Sequence, residues 1–169
     1  KETFAPSYWS VLTTLGIFAL ANSSDTFLML RMGELKILTA KAGRKSEGTQ
    51  IPVASVYNAD KFDGRVVIWV DGAGKSVLFE ASGQPTAAVR QLANAGYAVT
   101  SLDLLLTGEY LAEGEKPEFK VNDGFPAYTY CYNRPLLAQR VRDLLTVIRV
   151  TTLHPDVKSV QLVGLGEGG

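Results

Sequence analysis

Three apolar runs separated by two helical stretches constrain the fold more than any other feature of this sequence. The runs are "RVVIWV" (65–70), "YAVTSLD" (97–103) and "SVQLVG" (159–164), and the helical stretches cover 85–96 and 135–153. A continuous apolar run is typical of a strand that is buried on both faces, as the strands of parallel sheets are. This alternation of strand and helix therefore predicts an α/β fold with right-handed crossovers.

The α/β domain is predicted over residues 43–169. Its first strand is "IPVASVY" (51–57), where Pro52 predicts an edge position because proline has no N–H to donate to a neighbouring strand. The predicted fold class is a partial doubly wound parallel sheet preceded by an apolar helical segment.

That apolar segment is predicted over residues 1–36. The stretch "YWSVLTTLGIFALA" (8–21) has about fourteen mostly apolar residues, fewer than the roughly 20 that span a bilayer. The polar residues 22–25 suit an N-cap for a second helix through "TFLMLRMGEL" (26–35). We therefore expect helices that pack on the protein, and association of residues 8–32 with a membrane is the less favoured alternative.

Charge and residue counts exclude several classes of function. The 17 basic and 17 acidic side chains cancel, so no overall field attracts nucleic acid. A single cysteine and a single histidine exclude an internal disulfide, a cysteine-based zinc cluster and a multi-histidine metal site. We predict neither a cofactor nor a bound metal.

The carboxyl ends of the strands are where a sheet of this kind binds ligands. Three loops begin there, "DGAGKS" (71–76), "DLLLTGEY" (103–110) and "GLGEGG" (164–169). Carboxylates at these loops could activate a water molecule, or they could simply keep the loops in contact with solvent. The loops contain four of them, Asp71, Asp103, Glu109 and Glu167.

Two of these loops resemble nucleotide-binding motifs only superficially. "GAGKS" is not a phosphate-binding P-loop, because Trp69 stands where that motif needs its first glycine. "GLGEGG" matches the dinucleotide motif G-x-G-x-x-G, but that motif needs a following helix and a later acidic residue. The favoured interpretation is a nucleophile elbow, G-x-Nuc-x-G-G, with Gly166 at the position of the nucleophile.

Five stretches between residues 43 and 169 resemble an α/β-hydrolase of the acetyl-xylan-esterase type. They are "GRKSEGTQIPV", "RVVIWVDGAGK", "LANAGYAVTSLDLLLTGEY", "YNRPLLAQRVRDLL" and "HPDVKSVQLVGLGEGG". The resemblance implies an oxyanion loop after the strand at 65–70 and an elbow after the strand at 159–164. The backbone groups that it implies for binding an oxyanion belong to Gly72, Ala73, Gly166 and Glu167.

The sequence departs from the family at the residues that carry its chemistry. The family's serine would stand at Gly166, which has no side chain and cannot form an acyl-enzyme. The family's acid and histidine follow the elbow, so we expect the sequence to Gly169 to lack both. His154 precedes the last strand, and a strand of about five residues would hold it roughly 16 Å from the elbow. The remaining catalytic candidates are Glu167, Asp103 and Asp71.

Residues 7–35 have a separate resemblance, to one transmembrane segment and the following loop of a major facilitator superfamily transporter. One segment of such a fold implies no transport. Together the two resemblances predict a chimeric chain with a junction near 34–36, whose hydrolase part is truncated after the elbow.

The sequence thus predicts an esterase-like core that acts on small, acetyl-type carboxylic esters, with an incomplete triad and residual activity. The alternative is a non-catalytic module that associates with itself, because the strand at 159–164 would be an unpaired sheet edge. The predicted partners are a small ester and a second copy of the chain, bound through that edge or the N-terminal helices.

Overall fold

The computed structural model describes residues 28–44, 48–112, 131 and 134–166. Six strands form a single sheet, with helices between the later strands. The strands are β1 Leu28–Met32, β2 Leu35–Ala42, β3 Ile51–Asn58, β4 Arg65–Asp71, β5 Tyr97–Leu102 and β6 Ser159–Leu165. The α-helices are α1 Ala87–Asn94 and α2 Leu136–Thr152, and short 3-10 helices cover Gly74–Leu78 and Gly108–Tyr110.

The sheet is mixed, with the strand order β1-β2-β3-β5-β4-β6. The pairs β5–β4 and β4–β6 are parallel, as predicted, but β1–β2, β2–β3 and β3–β5 are antiparallel, so the sheet is mixed where a parallel sheet was predicted. The length of the connection explains the first of these antiparallel pairs. Only Gly33 and Glu34 join β1 to β2, and so short a link can only reverse the chain, whereas parallel neighbours need a long crossover.

The N-terminal helix prediction is wrong for residues 28–35. These residues form β1, a two-residue turn and the start of β2, with Leu28 paired to Thr39 and Met32 paired to Leu35. Gly33 has a φ of +62°, a conformation that suits a tight hairpin turn. This hairpin crosses the junction that was predicted near residues 34–36, and it makes both sides of that junction part of one sheet.

The remainder of the predicted helical segment, residues 1–27, lies outside the described residues. Among the helices that are described, none is both long and apolar enough to cross a membrane.

The strand predicted at 51–57 is present as β3, but it is central and not an edge. It lies between β2 and β5, and all eight of its residues are buried. Pro52 is only the second residue of the strand, where a missing N–H disturbs the pairing least. Its carbonyl oxygen accepts a hydrogen bond from the Asp103 N–H at 2.9 Å, which ties β3 to the end of β5.

Apolar clusters cover both faces of the sheet. On one face Val66, Ile68 and Val70 of β4 pack with Val147 of α2. On the other face β2, β3 and β5 pack with α1 through Val89 and Ala93. Strand β4 is therefore buried on both sides, as its continuous apolar sequence predicted, and the loop that follows it has a rigid base.

Arg65 fixes the amino end of β4. Its guanidinium donates hydrogen bonds to both carboxylate oxygens of Asp63, at 2.6–3.0 Å, and to the Tyr97 hydroxyl at 2.6 Å. It also lies 3.9 Å from the centre of the Tyr97 ring, which is a cation–π distance. The hydrogen bonds from Arg65 lower the pKa of Asp63 below 3.8.

We expect Asp63→Asn to reduce the free energy of unfolding at neutral pH and to have little effect in strong acid. The pKa of Asp63 is lower in the folded state than in the unfolded state. Its contribution to the free energy of unfolding is therefore fully present above the unfolded-state pKa, and it is lost as the pH falls through the folded-state pKa. Urea titrations of both proteins at neutral pH and well below pH 3.8 would measure this. An equal loss under both conditions would contradict the ion-pair explanation.

Candidate active site

Three strand ends lie side by side at the carboxyl edge of the sheet, in the order β5, β4, β6. In the register of the sheet Trp69 is opposite Ser101, and Asp71 is opposite Leu165. Neighbouring strands are about 4.8 Å apart. The register therefore brings together Asp103, which follows β5, Asp71, which ends β4, and Gly166, which follows β6.

Gly166 immediately follows β6 and is the last residue that the structure describes. Its φ is +59°, a left-handed conformation that side chains with a Cβ rarely adopt. A Cβ built on it would meet no described heavy atom within 4 Å. A left-handed residue directly after a parallel strand agrees with the elbow interpretation. Glu167, the next residue and a predicted site residue, lies outside the described part of the chain.

The turn after β4 is closed by Asp71. Its partly buried carboxylate accepts a hydrogen bond from the Ala73 N–H at 2.9 Å, while Gly72 and Ala73 are exposed. Ala73 was predicted to offer its N–H to an oxyanion. In this structure that N–H is bonded to Asp71, so the Asp71 side chain would have to turn away before Ala73 could bind a ligand.

Asp103 is the most enclosed of the predicted site residues, and its side chain is fully buried. Its Oδ1 accepts a hydrogen bond from the Lys75 N–H at 2.7 Å, and its Oδ2 accepts one from the Glu109 N–H at 3.0 Å. The Lys75 ammonium forms ion pairs with Asp103 and, at 2.6 Å, with Glu109. We call these three residues the Asp103 cluster, and it joins the loop after β4 to the loop after β5.

Two glycines make the Asp103 cluster possible. Gly74 and Gly108 have φ values of +69° and +52°, and a Cβ on either would come within 3.0 Å of the Asp103 carboxylate. Leu106, in the same loop as Gly108, also has a positive φ, +63°, which is strained for a residue with a Cβ. This arrangement was not predicted from the sequence. The glycine beside each charged residue, in "GK" and "GE", was the signal that could have revealed it.

His154 lies far from these loops, as the sequence analysis concluded. It is buried between the end of α2 and the start of β6, and its Nδ1 accepts a hydrogen bond from the Asp156 N–H at 3.1 Å. The seven residues of β6 separate it from Gly166, which corresponds to roughly 20 Å of strand. His154 therefore cannot act at the elbow.

A cavity of about 500 Å³ opens next to the Asp103 cluster, which supplies Glu109 to its wall. Tyr110 also lines it and donates a hydrogen bond from its hydroxyl to the Gln50 carbonyl oxygen at 2.5 Å. Burial raises the pKa of Tyr110 to about 12, and burial likewise raises the pKa of Asp143 in the same wall. Neither Tyr110 nor Asp143 was predicted as a site residue. Tyr110 is next to Glu109 in the sequence, and Asp143 comes close to it only in the folded chain.

No metal centre is visible in the described ranges, where no three histidine, cysteine or acidic side chains are grouped to hold an ion. The charged groups at the carboxyl edge pair with each other and with backbone amides instead.

The sequence matches no protein-family model, and no curated protein is similar to it. Solved structures are similar to it in fold. An acetyl xylan esterase of a Thermoanaerobacterium species has a TM-score of 0.56 at 14% identity, with 96% of this chain and 50% of that one covered. A Bacteroides fragilis protein assigned as an acetyl xylan esterase has a TM-score of 0.56 at 11% identity, with 96% and 47% covered.

A cold-adapted esterase from an Arctic intertidal metagenomic library has a TM-score of 0.50 at 14% identity, with 86% and 57% covered. The chain thus spans about half the length of these esterases. None of the three similarities supports the transporter-like interpretation of residues 7–35. They show that this chain has an α/β-hydrolase fold, similar in structure to acetyl xylan esterases and other esterases over most of its length.

Proposed function

We propose that the chain is the core of an ester hydrolase that acts on small carboxylic esters of the acetyl type, slowly and without a serine nucleophile. The observation that carries the proposal is the left-handed backbone at Gly166, which lies beside the turn at Gly72 and has no described atom within 4 Å of a Cβ built on it. A planar ester could approach both turns there. The names of the similar esterases support the choice of an acetyl ester as the substrate.

The proposed reaction is a direct attack by water. A carboxylate removes a proton from water as the water oxygen attacks the ester carbonyl carbon. Backbone N–H groups of Gly72, Gly166 and Glu167 stabilise the negative charge on the carbonyl oxygen. The bond to the alcohol oxygen then breaks, and the proton passes to that oxygen, which yields a carboxylic acid and an alcohol.

The three predicted carboxylates have different roles in this proposal. Asp103 is a positioning residue, because its two oxygens already accept hydrogen bonds from the loops that they join. Asp71 ends the strand next to β6 and is partly exposed, so it can reach water. Glu167 follows Gly166 in the sequence and is the second candidate base.

Hydrolysis of p-nitrophenyl acetate and its longer-chain homologues tests the proposal. General-base catalysis by one carboxylate is worth about 10²–10⁴-fold, so we expect a rate above that of buffer by this factor. We expect Glu167→Gln to lower the rate, and an unchanged rate would remove Glu167 from the mechanism. A protein that is folded by circular dichroism and no faster than buffer would refute the proposed function.

A pair of variants at Asp71 separates its two possible roles. Asparagine retains an acceptor for the Ala73 N–H but cannot act as a base, whereas alanine removes both functions. We expect Asp71→Asn and Asp71→Ala to lower the hydrolysis rate equally, by about 10²-fold. A rate that rises in Asp71→Ala alone would contradict the base role, since it would show that freeing the Ala73 N–H helps the reaction.

A further inference from the structure

The proposed hydrolysis makes no use of the cavity of about 500 Å³ beside the Asp103 cluster. Three parts of the chain line this cavity. The connection from β2 to β3 contributes Lys41 and Gln50, the loop after β5 contributes Glu109 and Tyr110, and α2 contributes Asp143. Strands β5 and β4 lie between β3 and β6, so the cavity is formed without any residue of β6. A cavity of this size can enclose most of a small ligand.

Hydrogen bonds fix the three walls of the cavity to each other. The Tyr110 hydroxyl joins the loop after β5 to the residue before β3, as described above. The Arg140 side chain of α2 donates a hydrogen bond to the Leu105 carbonyl oxygen in that loop, at 3.0 Å. The Arg44 guanidinium, which follows β2, donates one to the Thr146 hydroxyl of α2. Walls that are already fixed lower the conformational free energy that binding of a ligand costs.

The walls of the cavity also carry opposite charges that do not contact each other. The Lys41 ammonium donates a hydrogen bond to the Gln50 side-chain oxygen at 3.2 Å, and it forms no ion pair with a described residue. Asp143 likewise has no ion pair within the described ranges. Burial raises the pKa of Asp143, although the charges of Arg44 and Arg142 act in the opposite direction. Both Lys41 and Asp143 can therefore form a charge-assisted hydrogen bond with a ligand.

We propose that the cavity binds a short peptide, with its terminal carboxylate on the Lys41 ammonium and its terminal ammonium on the Asp143 carboxylate. A ligand with both charges is favoured, because a ligand with one charge would leave either Lys41 or Asp143 without a partner. Two or three extended residues separate the ends of a peptide by about 7–10 Å, so its charges can reach two walls that do not contact each other. Pro52, Leu105 and the Tyr110 ring line the same cavity and offer apolar contacts to the peptide side chains. This binding is independent of the proposed hydrolysis.

Isothermal titration calorimetry with trialanine tests the proposal. The matched control ligand is N-acetyl-trialanine amide, which has the same side chains and no charge at either end. We expect trialanine to bind at least about 10-fold more tightly than the blocked peptide, because a hydrogen bond to a charged group is stronger than a neutral one. Equal affinities for the two peptides would overturn the proposal. No binding of trialanine at concentrations up to about 10 mM would also overturn it.

Two substitutions locate the site. We expect Lys41→Gln and Asp143→Asn each to weaken the binding of trialanine by about 10–100-fold. The matched controls are Lys36→Gln, on the same strand, and Asp156→Asn, in the turn before β6, because neither residue lines the cavity. Both control variants should bind trialanine as tightly as the unaltered protein.

The exposed position of Lys41 keeps the test decisive if Asp143→Asn does not fold, because Lys41→Gln removes only a surface charge. Trialanine amide, which lacks the terminal carboxylate, should bind Lys41→Gln and the unaltered protein equally. An affinity for trialanine that Lys41→Gln leaves unchanged, or that Lys36→Gln lowers as much, overturns the proposal.

Discussion

Replacing Gly108 with alanine is expected to lower the free energy of unfolding by about 3–5 kcal/mol. Part of this loss comes from the left-handed backbone at Gly108, where φ is +52° and any Cβ is strained. The larger part comes from the new methyl group, which would come within 3.0 Å of the buried Asp103 carboxylate. Either the loop or the carboxylate must then move, and the hydrogen bonds of Asp103 break. Urea denaturation followed by circular dichroism would measure the loss.

Gly33→Ala is the matched control for this prediction. Gly33 has a similar φ of +62°, but a Cβ there would meet nothing within 4 Å, so only the backbone term remains. We expect a loss of about 1–2 kcal/mol from it. Gly108→Ala combined with Asp103→Ala gives a second check. In the Asp103→Ala background, Gly108→Ala should lower the free energy of unfolding much less, because the carboxylate is gone. Equal losses for Gly33→Ala and Gly108→Ala would contradict the contact with Asp103.

The strands and helices from residue 65 onward could be predicted because local pattern and tertiary position agree there. The apolar run of β4 predicts burial on both faces, and the structure buries Ile68 on one face and Val67 on the other. The pattern fails in "LMLRMGEL" (28–35), where the apolar residues suit a helix as well as a hairpin. Pairing of β2 with β3 decides between them, because this contact between distant parts of the chain outweighs local propensity.

The candidate site could be predicted only in part for a similar reason. Parallel strands bring their carboxyl ends together, so the proximity of Asp71, Asp103 and Gly166 follows from the strand order alone. The partners of Asp103 could not be predicted, because they depend on the path of two loops. In the sequence Lys75 belongs to "GAGKS", which only resembles a P-loop. In the structure its ammonium forms ion pairs with Asp103 and Glu109.

Glycine at position 166 separates the fold from the chemistry usually carried by an elbow. The backbone turn there needs no side chain, since its left-handed φ of +59° suits glycine better than any other residue. The loops that would bind an oxyanion can therefore be retained without a nucleophile. Under the proposed function, the fixed positions of these loops matter more for hydrolysis than the residue at the turn. The Asp103 cluster holds the loops after β4 and β5 in position.

Asp103→Asn is expected to lower the free energy of unfolding by about 3–5 kcal/mol, although it changes only one atom of the side chain. Both carboxylate oxygens accept hydrogen bonds from donors, namely the Lys75 N–H on Oδ1 and the Glu109 N–H on Oδ2. An asparagine amide has one acceptor oxygen, so its NH₂ group must face one of these N–H groups. The Lys75 ammonium, which is only 15% exposed, would also lose its buried partner.

Asp71→Asn is the control for this prediction, because it makes the same substitution at the end of the adjacent strand. Asp71 is partly exposed and accepts one hydrogen bond that asparagine can still accept, so we expect a loss below about 1 kcal/mol. A thermal scan should show a fall in Tm of about 10 °C for Asp103→Asn and little change for Asp71→Asn. Asp103→Leu should also lower the free energy of unfolding, and adding Lys75→Met should restore only part of that free energy. The Lys75 and Glu109 backbone N–H groups still have no acceptor in the double variant. If Asp103→Asn proved as stable as the unaltered protein, Asp103 would not hold the two loops together.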